Sequence, residues 1–148
     1  MKLMRQTGRK KQAASGISKE LLLAFGYMAG KIVDTLIDWK PGQEGRWDVA
    51  YLPDGKSPRI KFSLFPDGTV LTLRSLNGNM VNLGLEAAAL AISECAMNWV
   101  SYQAYEAGNH DIGKAAAQHY YRLHRYIWND PKSGLTEDEK ILIHRYND

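Results

Sequence analysis

The stretch from Asn77 to Ala107, NGNMVNLGLEAAALAISECAMNWVSYQAYEA, limits the folds open to this chain more than any other. It joins a tight turn, a short strand and the longest uninterrupted helical pattern. Leu85, Ala88, Ala89, Ile92, Cys95, Ala96, Trp99 and Tyr102 recur at steps of three and four, the spacing of one helical face. Such a stripe needs a partner surface. Its alanine-rich first half admits close approach of another element, and the pattern puts Trp99 and Tyr102 in the core at the far end, with Trp99 largely buried.

Residues 46 to 83 read as an antiparallel meander of four strands. Pro53-Asp54-Gly55, Pro66-Asp67-Gly68 and Asn77-Gly78 punctuate it, and such dipeptides supply the positive φ angles of tight hairpins. Alternation turns Ile60, Phe62, Leu64, Leu71 and Leu73 toward the core and puts Trp47, Val49 and Tyr51 on one face of the first strand. The opposite face would present Arg59, Lys61, Thr72 and Arg74 as a small basic surface.

Helices flank this sheet in the sequence. Ser18 is placed to cap an amphipathic helix that carries Leu21, Leu22, Phe25, Met28, Ala29, Ile32, Val33 and Leu36 and stops at Lys40-Pro41-Gly42. Gly26 and Gly30, four apart on it, are expected to mark close packing against the alanine-rich segment. After Gly108 and Asn109, a third helix over about 111–128 turns Ile112, Ala116, Tyr120, Leu123 and Ile127 inward and His119, Arg122, His124 and Arg125 outward. Asn129-Asp130-Pro131 stops it, and Thr136 with Glu139 opens a last helix at capping-box spacing. The expected fold is α+β: a four-stranded antiparallel meander sheet packed with about four helices, a single domain over residues 18–148.

The chain of 148 residues is long enough for one core that buries roughly 70% of the surface an unfolded chain exposes. Its net charge of +3 is uneven. Residues 1–17 hold Lys2, Arg5, Arg9, Lys10 and Lys11 and no acid, which leaves 14 basic against 16 acidic residues in the remainder. A body so balanced is neither an acidic mimic of the DNA backbone nor a strongly basic nucleic-acid platform. The tail is expected to be disordered, and Arg5, Arg9, Lys10 and Lys11 with Arg59, Lys61 and Arg74 would be the phosphate contacts of a small nucleic-acid-associated module. The single cysteine, Cys95, excludes an intrachain disulfide and fits a reducing cytoplasm. The apolar run from Leu21 to Gly30 falls short of the ~20 residues of a membrane span, and no secretory signal pattern opens the chain.

Patterns that carry chemistry are weak. His119 and His124 are five apart and do not share a helical face, so no metal site is expected. Glu86 and Glu94 read as solvated helix charges, Cys95 as a small inert hydrophobe on the stripe, and neither a P-loop nor a dinucleotide fingerprint is present. No cofactor is expected.

Two segments carry a family resemblance. Gly45-Arg46-Trp47-Asp48-Val49-Ala50-Tyr51-Leu52-Pro53-Asp54-Gly55 resembles the Trp, strand and Asn-Gly turn of the plasmid-borne antirestriction proteins of the ArdB and KlcA kind. Asn77-Gly78, then Leu83-Gly84-Leu85-Glu86-Ala87-Ala88-Ala89, resembles that family's Asn-Gly turn followed by an alanine-rich helix start. In order and spacing the resemblance spans roughly residues 20 to 130, since that family also has an amphipathic helix before the sheet and a closing helix with a His/Tyr and Leu-Arg pattern like that from Tyr121 to Tyr126. Ala50, Asp54, Lys56 and Glu86 depart from the family pattern. The resemblance implies a noncatalytic cytoplasmic protein of a mobile element that blunts type I restriction of incoming DNA. Its partner would be a host restriction-modification or other defence component. The corresponding interaction surface would comprise Trp47, Asp48, Tyr51, Asp54, Gly55, Asn77, Gly78 and Glu86.

Overall fold

The computed structural model describes residues 17–36, 47–75 and 77–148. Residues 1–16 of the expected tail, the helix stop at Lys40-Pro41-Gly42 and the pair Gly45-Arg46 lie outside the described residues, as do the tail cations Arg5, Arg9, Lys10 and Lys11; Ile17, counted with the disordered tail, is instead buried in the core. The element order is α1 (Lys19–Val33), β1 (Trp47–Tyr51), β2 (Pro58–Phe62), β3 (Val70–Arg74), β4 (Met80–Gly84), α2 (Leu85–Glu106), α3 (His110–Asn129), a 3-10 turn (Pro131–Ser133) and α4 (Glu137–Asn147). The fold is α+β, with four α-helices among the described residues. None of those helices is long and apolar enough to cross a membrane.

Local chemistry sets the helix ends. Ser18 accepts from the Leu21 N–H, Asn109 caps α3 through the Ile112 N–H, and Thr136 and Glu139 form the reciprocal capping box of α4. Helix α1 closes at Val33 with Asp34 as its C-cap, earlier than its apolar pattern suggests. Between α2 and α3 the chain reverses at Gly108, whose φ of 80° is open to glycine and strained for most other residues. Gly113 then lets the two helices close up: a Cβ there would lie 2.9 Å from the Tyr105 ring, while Ser101 Oγ donates to Gly113 O at 2.9 Å.

The four strands do not form one sheet. They make two separate antiparallel hairpins, β1–β2 with Val49 opposite Ile60 and β3–β4 with Thr72 opposite Asn82. The edge of β2 that a third strand would take is already occupied by side chains. The Ile60 N–H donates to Ser93 Oγ of α2 at 2.8 Å, and the Ile60 carbonyl accepts from Arg59 Nε at 3.0 Å. Leu64 then enters the left-handed region at φ 63° and carries the chain away from β2. Leu64, expected in the core, is consequently 79% exposed.

Helix α2 is the centre of the core, but its buried surface differs from the expected stripe. From Ala87 to Glu94 every residue is buried, and farther on the buried positions are Ala96, Met97, Val100 and Ser101. A helix covered on all sides belongs to an interior rather than to an interface with one partner. Trp99 and Tyr102 lie off the buried side of the second half and are 36% and 62% exposed. The packing of Gly30 also differs from expectation: the Trp47 ring occupies the space beside it, 3.3 Å from where a Cβ would stand.

These burials predict opposite responses at two positions of one helix. Leu90→Ala should cost about 2–5 kcal/mol by leaving a cavity, whereas Trp99→Ala should cost about 1 kcal/mol. Chemical denaturation of both variants checks this; equal losses would restore Trp99 to the core.

Candidate functional site

The two segments of the proposed interaction surface meet through Arg59. Its guanidinium forms a bidentate pair with Glu86, both contacts at 2.7 Å, and so ties the β1–β2 hairpin to the first turn of α2. Arg59 is 2% exposed, which removes it from the expected basic sheet face; Lys61 and Arg74 remain exposed but belong to different hairpins. Burial pushes the Glu86 carboxyl up, yet the Arg59 hydrogen bond and charge outweigh it and hold the group below its ordinary value. Glu86 is therefore half of an ion pair rather than a solvated charge.

The remaining surface residues divide between two places. Trp47, Asp48 and Tyr51 are half-buried on β1, and Asp48 Oδ1 accepts from the Val49 N–H. Asp54 and Gly55 are exposed at the hairpin turn, where Asp54 Oδ1 accepts from the N–H groups of Lys56 and Ser57. Asn77 and Gly78 are exposed at the other turn; the Asn77 amide donates to the Asp148 carbonyl and the Asn79 amide to the Arg145 carbonyl, docking β3–β4 onto α4.

Beside Asp54 stands a cluster with the residue types of a nucleophilic triad. Ser57 Oγ donates to Asp54 Oδ2 at 3.3 Å and lies 3.5 Å from His119 Nδ1, which also receives Arg122 Nη1 at 3.4 Å. The order is wrong for hydrolysis: the carboxylate holds the serine instead of the histidine, and Ser57 is fully buried. His119 is buried rather than on the outer side of α3, and burial together with Arg122 lowers its pKa to about 4. A neutral imidazole that accepts from Arg122 is a packing element. Asp54, Arg122, Arg125, Tyr126 and Lys132 line an open depression of about 520 Å³ next to it.

A second, larger cleft of about 620 Å³ is lined by side chains from α1, α2, α3 and α4 and by the β3–β4 turn. The α2 face that borders it carries Glu94, Cys95, Asn98, Trp99 and Tyr102, and Tyr120 and Tyr146 add further aromatic wall. Glu94, read from the sequence as a solvated charge, is 3% exposed at this site. Its carboxylate accepts from Asn147 Nδ2 at 2.8 Å and pairs with His124 Nδ1 at 2.9 Å. Burial raises the Glu94 pKa against the opposing effects of His124 and Asn147. The Asn147 amide nitrogen is committed to Glu94 and to the Ala91 carbonyl, and its oxygen is buried with no hydrogen-bond partner among the described residues. An orphaned acceptor of this kind costs about 1–3 kcal/mol.

Cys95 lines the same cleft. Burial raises its thiol to about 11, so it is a poor nucleophile at neutral pH. Among the described residues no group of His, Cys, Asp and Glu has the arrangement of a metal site. Sequence reasoning missed the cleft because its aromatic residues share the helical period of the core. One signal pointed to it: Ser93 and Glu94 interrupt an otherwise apolar run, and a charge within such a run requires a partner.

Compared with known proteins, the chain matches no protein-family model and no curated protein.

The two glutamates of α2 predict opposite pH dependences. Glu86 has a depressed pKa, so its contribution to stability is present above the ordinary carboxylate range and is lost as pH falls through the depressed value. Glu94 has a raised pKa, so its ionisation lowers stability as pH rises from the ordinary carboxylate value through the raised one. Denaturation from pH 3 to 8 should show Glu86→Gln losing the acid-sensitive component and Glu94→Gln losing the decline at higher pH. Glu86→Ala should cost about 1–3 kcal/mol, less than a fully buried pair because its carboxylate is half exposed. An unchanged pH profile in both variants would contradict these assignments.

Proposed function

We propose that the protein is an antirestriction factor that acts by binding a component of a host restriction-modification system, without catalysing a reaction. Its resemblance to the ArdB and KlcA kind supplies the biological role. The observation that carries the binding mode is the outward placement of Trp99 and Tyr102 on a cleft of the body. Tryptophan and tyrosine are enriched among the few residues that dominate the energy of protein interfaces, and they bury large rigid surfaces at small entropic cost. The Arg59–Glu86 pair supports the same reading because it braces the two segments that carry the resemblance. Burial of Arg59 takes away one of the three sheet-face cations on which nucleic-acid binding would rely.

The test is phage plating on restricting and nonrestricting hosts with and without the protein. Expression should raise plating at least about tenfold in the restricting host alone, and a Trp99→Ala/Tyr102→Ala double variant should lose most of that gain while its fold survives. Deletion of residues 1–16, which keeps the buried Ile17, should leave protection intact. The proposal fails if expression does not change plating. Protection that disappears with residues 1–16, together with salt-sensitive DNA binding, would transfer the role to the nucleic-acid reading.

A further inference from the structure

We propose that the cleft bordered by α2 is a binding site for an organic cation, an alkylammonium or guanidinium group whose charge is set against the lining formed by Glu94 and Asn147. The floor of the cleft determines this chemistry. Glu94 is a nearly inaccessible carboxylate that accepts one hydrogen bond from Asn147 and pairs with His124, and each carboxylate oxygen retains acceptor capacity. Next to it the Asn147 oxygen has lone pairs and no donor among the described residues. Asn147 cannot relieve this by turning its amide around, since its nitrogen already serves Glu94 and the Ala91 carbonyl. A carboxylate with acceptor capacity to spare beside an amide oxygen with no donor selects a ligand group rich in N–H and positive in charge.

The walls favour the same occupant. Trp99 and Tyr102, 6.5 Å apart between ring centroids, and Tyr120 from α3 offer aromatic surface to an alkyl stem and attract a cation held against it. Two cations that line the cleft are engaged with other side chains: Lys31 Nζ sits 5.2 Å from the Tyr27 ring centroid, and Arg74 Nη2 reaches Met80 Sδ at 3.7 Å. The volume of about 620 Å³ exceeds a single charged group and leaves room for several carbons of stem. This chemistry holds whether or not the protein opposes restriction, because it depends only on groups within the cleft.

The test is titration of the full chain with n-butylguanidinium, followed by the NMR signals of the Trp99 indole and the Asn147 amide. Its uncharged counterpart n-butylurea serves as the control. Saturable shifts with a Kd of about 0.1–5 mM are expected for the cation, in line with a ligand of few heavy atoms. Glu94→Gln, which keeps the side-chain volume, should weaken binding at least about tenfold; Tyr102→Ala, at an exposed position, should weaken it about threefold or more. An N-acetyl-arginine methylamide probe distinguishes the source: tighter binding than butylguanidinium points to a side chain of a partner protein, equal binding to a free small cation. Equal affinity for n-butylurea, full affinity in Glu94→Gln, or the absence of saturable shifts at 50 mM butylguanidinium would overturn the proposal.

Discussion

Helix α2 must be covered on every side over the turns from Ala87 to Glu94, and the rest of the fold is arranged to meet that demand. Alanine at 87, 88, 89 and 91 keeps the helix thin, which permits backbone and side chains of several elements to reach it at once. The β1–β2 hairpin covers one flank and fixes itself there through Ser93, α1 and α3 cover others, and α4 closes against the same helix. Burial of so many small residues contributes through close contact more than through area per residue.

Polar groups set the register of that packing. Ser93 and Arg59 satisfy both backbone groups of Ile60, so the hairpin ends its pairing at the helix instead of continuing into a larger sheet. Arg59 then uses the rest of its guanidinium on Glu86. Eight residues along the same helix, Glu94 has a different fate: it is deeper, its partners are a histidine and an amide, and its ionised form is penalised rather than favoured. Two carboxylates on one helix thus have opposite electrostatic roles because one faces a guanidinium and the other a desolvated floor.

Functional potential gathers where the core gives way to the surface. Along α2 the covered half gives way to one exposing Trp99, Tyr102 and Tyr105, and the cleft begins at Glu94, where interior and aromatic wall meet. A binding protein gains from such a junction, since a rigid interior element holds the recognition side chains in place. The Ser57–His119–Asp54 cluster illustrates the converse. Its residue types are those of catalysis, but its connectivity and burial make it a brace between the first hairpin and α3.

Local physics made much of the architecture legible from the amino acids alone. The caps at Ser18 and Thr136, the turns at Gly55 and Gly78 and the existence of four helices and four strands among the described residues follow from side-chain hydrogen bonding, left-handed glycine geometry and apolar period, all of which act within a few residues. Periodicity also identified α2 as the central element, but it could not tell which side of its second half would be covered, because Trp99 and Tyr102 satisfy the helical spacing as well as Met97 and Val100 do. Only the tertiary structure decided that, along with the division of the strands into two hairpins and the burial of Arg59, His119 and Glu94. Each depends on a partner distant in sequence: Ser93 for Ile60, Glu86 for Arg59, Ser57 for His119, His124 and Asn147 for Glu94. A residue's charge and period are properties of the chain, but whether that charge is desolvated depends on what the fold sets against it.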